Sequence, residues 1–255
     1  MSIHHHTSQI GKTLWGLLLL PVLFVSCQSP TEKLNTLFEE IPSTTSGISF
    51  SNDLINTVDL NILNYLYFYN GGGVAVGDIN NDSLVDIFLT GNLVPNRLYL
   101  NKGNFRFEDI TEQAGILHTA DSWSTGVTMA DVNADGWLDI YVSQVGNFLD
   151  RKGRNQLFIN QKDGSFKEEA ESYGLDQQGF GTQAAFFDFD QDGDLDVYQL
   201  NHSINPAGTV GDTIQRYKKD RFAGDRLLEN VGGKFIEITE AAGIISSRLG
   251  YGLGI

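Results

Sequence analysis

The chain has 255 residues, of which 41% are hydrophobic and 11% aromatic, and it contains 28 glycines. This composition is that of a folded, turn-rich protein and excludes an intrinsically disordered chain. The formal net charge of -15 argues against nucleic acid as a partner, because an acidic surface repels phosphates.

The N-terminal segment is predicted to direct the chain out of the cytoplasm. An apolar run extends from Leu14 to Val25 after a polar start, and it is too short to span a bilayer comfortably. Such a run is typical of a secretory signal, so residues 1–26 are predicted to be a signal peptide.

Cys27 follows the signal directly and is the only cysteine, so no internal disulfide can form. Its position after "LFVS" resembles a bacterial lipobox, although Phe24 stands where leucine is usual. The alternative is ordinary cleavage with an incidental cysteine. We predict a lipidated Cys27, a linker over residues 27–46, and an extracytoplasmic place in the cell envelope with the lipid as the only membrane contact.

Three aspartate-rich loops follow along the chain: residues 78–86 (DINNDSLVD), 131–139 (DVNADGWLD) and 188–196 (DFDQDGDLD). Each has oxygen-bearing side chains at positions 1, 3, 5 and 9. This pattern suits a hard cation with about six to eight oxygen ligands, and calcium is the predicted cofactor. The alternative is that turns favour Asp, Asn and Gly for conformational reasons. That alternative is stronger for the first loop, where Ser83 replaces the turn glycine.

The predicted metal ligands are Asp78, Asn80, Asp82, Asp86, Asp131, Asn133, Asp135, Asp139, Asp188, Asp190, Asp192, Asp194 and Asp196. An EF-hand begins similarly but needs a bidentate glutamate at position 12, which is Leu, Val or Gln here. The ninth-position aspartates are therefore expected to close the coordination sphere. Asp194 is expected to contribute mainly its backbone carbonyl, with its carboxylate turned outward.

The segments around the loops also repeat. "NRLYLNKGNFRFEDITEQAGI", "NQLFINQKDGSFKEEAESYGL" and "DRLLENVGGKFIEITEAAGI" are one pattern, and successive loops begin 53 and 57 residues apart. These periods are near those of propeller blades. The first unit is predicted to contain strands Val74–Gly77, Asp86–Thr90, Leu98–Leu100 and Phe105–Asp109. The predicted fold class is all-β, with about three complete blades of four antiparallel strands.

These motifs resemble FG-GAP or VCBS repeats, the calcium-binding blades that also occur in integrin α-subunit heads. More narrowly, "YNGGGVAVGDINND" and "VPNRLYLNKGNFRFEDITEQAGI" resemble cartilage-acidic-protein-like secreted proteins of Bacteroidetes-type bacteria. The resemblance implies a propeller over residues 47–255, calcium in the blade loops and an extracytoplasmic location. The final "GYGLGI" matches "GGGVAV", so we expect an N-terminal fragment of a longer propeller with a C-terminal ASPIC/UnbV-type domain.

The connection between the second and third strands lengthens from blade to blade. The two longer connections hold seven of the chain's 17 basic residues: Arg151, Lys152, Arg154, Arg216, Lys218, Lys219 and Arg221. Long connections are usually functional or disordered. A basic, aromatic-containing loop could meet an anionic glycan or an extracellular protein, and the alternative is a solvated loop with no partner.

No catalytic constellation and no phosphate-binding glycine loop is recognisable in the sequence. His202 lacks the neighbours of a catalytic triad, and it is interpreted as a hydrogen-bonded loop histidine. We therefore predict a binding or adhesion module rather than an enzyme. The alternative is a glycan-active enzyme, such as a calcium-loop propeller polysaccharide lyase.

Overall fold

The computed structural model describes residues 37–119, 121–204 and 213–255. The predicted signal peptide and Cys27 lie outside these residues. Residues up to Glu40 group separately, and Ile41–Ile255 form one unit that contains all the strands. Within the described part of the chain, no helix combines the length and apolar character needed to cross a membrane.

The unit contains three antiparallel sheets, each of four strands that follow one another in chain order. The first sheet comprises β1 (Val74–Gly77), β2 (Asp86–Leu89), β3 (Arg97–Asn101) and β4 (Phe107–Asp109). The second comprises β5 (Ser124–Ala130), β6 (Asp139–Gln144), β9 (Gln156–Asn160) and β10 (Phe166–Glu168). A separate two-stranded hairpin, β7 (Gly146–Phe148) and β8 (Arg151–Lys152), lies between β6 and β9 in the chain. The third comprises β11 (Gly181–Phe187), β12 (Asp196–Asn201), β13 (Arg226–Asn230) and β14 (Phe235–Glu237). The predicted four-stranded units are confirmed.

The largest difference from the predicted strands is at the start of β4, which begins two residues later than expected. Asn104 and Phe105 have φ angles of 53° and 57°, so they form the turn instead of the strand. A strand cannot accommodate two consecutive left-handed residues. Phe105 is therefore exposed at a turn rather than paired in the sheet.

In the described residues, three short helical turns lie outside the strands, before the first sheet, between the second and third sheets, and between β12 and β13 of the third sheet. They are α1 (Ser43–Ser46), α2 (Ala170–Tyr173) and a 3-10 helix over Thr213–Tyr217 in the longest connection. Gly47 ends α1 with φ 77°, and a Cβ there would lie 2.5 Å from the carbonyl oxygen of Phe107. Ser46 is buried, so the chain packs against the first sheet slightly before residue 47, where packing was expected to begin.

The apolar core lies between neighbouring sheets. β6 is buried along its whole length because both of its faces are covered. Ile140 and Val142 pack in the cluster shared with the first sheet, whereas Tyr141 packs in the cluster shared with the third. Alternation of side chains along one strand therefore joins three blades into one structure.

The first strands of the three sheets lie side by side, with β5 between β1 and β11. A Cβ on Gly126 would lie 2.3 Å from the carbonyl oxygen of Thr182, and one on Gly73 would lie 2.7 Å from that of Thr125. Only glycine fits such close backbone approaches. Crowding of the neighbouring backbones therefore explains why glycine occupies these positions beside the first strands of the sheets.

Candidate metal centre

The aspartate loops follow β1, β5 and β11 and share one hydrogen-bond pattern. In each loop the carboxylate at position 1, which is Asp78, Asp131 or Asp188, accepts the backbone N–H groups of positions 5 and 6. The N···O distances are 2.7 to 3.2 Å. Because the first carboxylate organises the turn in all three loops, the loops have one architecture and are not chance clusters of acidic residues.

The backbone conformation is also common to the three loops. Positions 4 and 6 have positive φ in each of them, and position 6 is Ser83, Gly136 or Gly193 with φ of 71°, 86° and 99°. A non-glycine residue in this conformation costs roughly 1–2 kcal/mol. Ser83 accepts that strain, so the first loop has the same shape as the other two despite lacking the turn glycine.

The ninth-position aspartates, Asp86, Asp139 and Asp196, are at most 1% exposed. One carboxylate oxygen accepts the N–H of loop position 2, at 3.0 to 3.1 Å. The other accepts the N–H of the last residue of the third strand, at 2.8 to 2.9 Å. These residues therefore tie each loop to its sheet, and each oxygen keeps a lone pair that a cation could use.

Burial of these carboxylates disfavours their charged form. Desolvation raises the pKa of Asp139 to about 6, and the backbone N–H groups offset only part of this effect. The pKa of Asp86 is raised by the same cause. A bound cation would reverse these shifts by favouring the carboxylate.

The third loop is the strongest candidate for a metal site. Asp188, Asp190 and Asp196 each offer a carboxylate oxygen, and these oxygens all lie within 4.8 Å of one another. In the first and second loops, position 3 is asparagine, whose amide group donates to the position-5 aspartate at 3.0 Å. Lys162 also pairs with Asp135 at 3.3 Å. Within the described residues, no salt bridge neutralises the five aspartates of the third loop.

The side chain of Asp194 differs from the expectation. Its carboxylate was expected to point outward, but its Oδ1 atom is buried and has no hydrogen-bond partner among the described residues. Desolvation, together with the charges of Asp192 and Asp196, raises its pKa. The sequence could not show this, because position 7 is exposed or buried according to how the next strand leaves the loop.

The donor set of the third loop fits a hard divalent cation. All candidate ligands are oxygens, three carboxylates converge, and a fourth presents an unpaired buried oxygen. Asp188, Asp190 and Asp196 would hold the ion, with Asp194 beside them. Asp192 is not among the three converging carboxylates, and its Oδ1 accepts the N–H of Asp194 at 3.1 Å.

A second polar cluster, which the sequence did not reveal, lies at the opposite end of the sheets. His202 is completely buried, and its Nε2 atom is 3.0 Å from the hydroxyl oxygen of Tyr65. The ring centroid of Tyr67 lies 3.9 Å from that of His202. The available signal was the aromatic-rich stretch "NYLYFYN" at 64–70, outside every predicted strand.

Repeated four-stranded sheets, each with an aspartate loop between its first two strands, define a protein built from propeller blades. Residues 78–142 and 146–198 match the family described as FG-GAP-like repeat. The chain therefore contains FG-GAP-like repeats, as its motifs predicted.

The chain is also similar to cartilage acidic protein 1 of three organisms. It is 34% identical over 137 residues to cartilage acidic protein 1 of Xenopus tropicalis, 33% over 166 residues to that of Mus musculus, and 32% over 142 residues to that of Homo sapiens. These matches cover 52%, 63% and 54% of this chain but only 20%, 24% and 21% of the relatives. The chain is a homologue of cartilage acidic protein 1 that corresponds to about a quarter or less of its length.

Proposed function

We propose that the chain is a calcium-stabilised binding or adhesion module of the cell envelope. The observation that carries the proposal is the convergence of Asp188, Asp190 and Asp196 beside the unpaired Oδ1 atom of Asp194. Calcium would supply the positive charge that allows these carboxylates to approach one another. Because Asp196 also holds the end of β13 through Asn230, an ion in this loop would strengthen the sheet itself.

The proposed partner is an anionic glycan or an extracellular protein that meets the basic connections. In the structure Arg154 pairs with Asp176 and Lys219 with Glu240, both at 2.7 Å. Arg216 and Lys218 are exposed beside them. Because the whole chain is strongly acidic, these cations would form a local attractive patch for an anionic ligand.

The experiment that tests this function is an array of sulfated, uronic-acid and neutral glycans together with extracellular matrix proteins, probed with the purified chain. We expect retention of at least one ligand class in millimolar calcium and its loss in chelator, because the module unfolds more readily without the ion. The double variant Arg216→Ala/Lys218→Ala should weaken anionic ligands selectively. Chemical conversion of a glycan would instead favour the enzyme alternative, and no retention at all would contradict the proposal.

Attachment to the envelope is proposed to occur through Cys27. The support is a single cysteine placed directly after an apolar run of signal length. Stable anchoring needs two or more acyl chains, which a lipidated N-terminal cysteine can carry. Mass spectrometry of the mature protein should find lipid on Cys27, with Cys27→Ala released from the membrane fraction. An unmodified N-terminus at another residue would contradict the anchor.

A further inference from the structure

A groove of about 440 Å³ lies between the longest connection and the segment that follows the third sheet. One wall is the 3-10 helix Thr213–Tyr217, and the other is the segment of residues 245–251. The side chains that line it are Arg216, Tyr217, Ile245, Ser247, Leu249 and Tyr251. Its volume lies within the range of about 300–1,000 Å³ that is usual for ligand sites, so the groove can receive side chains of a partner.

The apolar side chains of the groove are accessible from outside. Tyr217, Ile245 and Tyr251 are 61%, 55% and 41% exposed, so a ligand in the groove can contact each of them. Leu249 is partly buried beside them. Exposed apolar residues are normal when they are scattered over a surface, whereas several that line one groove indicate an interaction site.

Backbone hydrogen bonds hold the two walls of the groove together. The N–H of Arg248 donates to the carbonyl oxygen of Lys218 at 2.9 Å, and Lys219 and Ser247 form an antiparallel bridge beside this bond. Within the second wall, the N–H of Leu249 donates to the Ser247 hydroxyl oxygen at 3.1 Å. The groove is therefore already formed without a ligand, so binding does not have to order it.

The rim of the groove is positively charged. Arg216 lines the groove, and the backbone bond places Lys218 and Arg248 next to it. The Arg248 guanidinium lies 3.5 Å from the side-chain oxygen of Gln215 in the 3-10 helix. Within the described residues, no salt bridge involves any of these three cations, which we call the rim cations. In a chain with a formal net charge of -15, they form a local positive field that attracts acidic groups.

The lining favours a peptide over a glycan as the occupant. Ile245 and Leu249 are aliphatic, and aliphatic walls leave the hydroxyl groups of a sugar without hydrogen-bond partners. An apolar side chain of a peptide needs no such partners and gains from burial against these walls. Tyrosine and arginine, which the groove also contains, are enriched where proteins contact one another.

We propose that this groove binds a segment of an extracellular protein in which bulky apolar residues are flanked by acidic residues. The apolar side chains would pack between Tyr217, Ile245 and Tyr251, and the acidic groups would meet the rim cations. The assignment deepens the proposed binding function and rests on it, because it selects a protein over a glycan as the partner of the longest basic connection.

The test is fluorescence anisotropy of the whole chain in millimolar calcium with a labelled peptide that has a central Phe-Leu pair flanked on each side by a run of glutamates. We expect saturable binding that weakens as salt is added, because the rim cations are exposed charges. Replacing the Phe-Leu pair by two alanines, or the glutamates by lysines, should each weaken binding about tenfold or more. No binding of the glutamate peptide, or equal binding of all three peptides, would overturn the assignment.

Tyr217→Ala tests the groove itself, and Tyr69→Ala is its matched control. The two tyrosines are 61% and 58% exposed, so both variants should keep the fold, and Tyr69 does not line the groove. Tyr217→Ala should weaken binding of the glutamate peptide about tenfold or more, whereas Tyr69→Ala should leave the affinity unchanged. Equal affinities of the two variants would contradict a role for the groove.

The double variant Arg216→Glu/Lys218→Glu tests the charge of the rim through a gain of binding. It should prefer the lysine peptide to the glutamate peptide, reversing the preference of the wild type, because two of the rim cations become anions. An unchanged preference would overturn the role of the rim cations. If anionic glycans on the array bind through Arg216 and Lys218 while no peptide binds, the module function stands and only the peptide assignment fails.

Discussion

Asp192→Ala should lower the melting temperature of the chain by roughly 5–10 °C in millimolar calcium, and much less in chelator. An ion that binds only the folded state at 100 times its dissociation constant stabilises by about 2.7 kcal/mol. Extracellular calcium modules have dissociation constants of roughly 10⁻⁴ to 10⁻³ M, so about 10 mM calcium is needed to reach 100 times the tighter of these values, and the comparison should be made there.

The structure explains why Asp192 should matter although it lies outside the converging group. Its Oδ1 atom accepts the N–H of Asp194, which places the Asp194 carboxylate next to the candidate ion site. The alanine variant loses both this turn and one negative charge beside the ion. In chelator the same loss of charge relieves repulsion among the remaining carboxylates and offsets the lost hydrogen bond.

The matched control is Asp163→Ala. Asp163 is an exposed aspartate in the turn between β9 and β10, and it also accepts the N–H of the residue two positions later, Ser165, at 2.9 Å. Asp163 lies outside the aspartate loops, so Asp163→Ala should lower the melting temperature by the same amount in calcium and in chelator. If Asp192→Ala behaves like Asp163→Ala, the aspartates of the third loop serve the turn alone and the calcium proposal fails.

Acidification from pH 7 to pH 4 should destabilise the fold through His202 by about 3 kcal/mol. Burial lowers the pKa of His202 to about 4 from the ordinary value of 6.5, because the charged ring would lose its water. Below pH 6.5 the unfolded chain takes up a proton that the folded chain refuses. The stabilising contribution of the neutral ring is therefore complete above pH 6.5 and is lost as the pH falls toward 4.

Among the described residues, no charged side chain contacts His202 to compensate an imidazolium. The described titratable groups against it are tyrosines: the Tyr65 hydroxyl at Nε2, the Tyr67 ring, which is tilted by 42° at a centroid distance of 3.9 Å, and Tyr251, which pairs with His202 through a β-bridge. Burial raises the pKa values of Tyr65 and Tyr67, so both remain neutral across this pH range.

The measurement is urea unfolding at pH 7 and pH 4 for the wild type, His202→Gln and His118→Gln. Comparing each protein with itself cancels any change in absolute stability, and comparing the pH dependence of each variant with that of the wild type cancels the titration of the carboxylates. His202→Gln should lose about 3 kcal/mol of the pH dependence, whereas the exposed His118 should contribute much less. If the pH dependence of His202→Gln equals that of the wild type, burial does not lower the pKa of His202 and the prediction is wrong.

The blades and their loops were predictable because their signals are local. Alternation of side chains along a strand, glycines at turns and oxygen side chains at positions 1, 3, 5 and 9 all lie within one repeat. These local signals predicted the bounds of β1 correctly. They also predicted a loop that begins at Asp188, where the Asp188 carboxylate accepts the N–H of Asp192. The misplaced start of β4 is a local error of the same kind, since Phe105 was assigned to a strand although its backbone turns.

The role of the ninth-position aspartates could be predicted only in part. Their place beside the candidate ion follows from loop spacing, but their bond to the end of the third strand does not. Asp196 meets Asn230 across 34 positions of sequence, and only sheet pairing brings them together. Their burial, which raises the pKa of Asp139, follows from the packing of one blade on the next.

The sequence by itself determined the class of the protein: repeated all-β blades with acidic loops. Only the tertiary structure decided the buried polar cluster at His202, because Tyr65 and His202 are 137 positions apart and neither belongs to a motif. Blade patterns are set by contacts within a repeat, so they can be recognised locally. The cluster at His202 arises where the end of β12 meets a segment outside all repeats, so its chemistry depends on how the blades pack together.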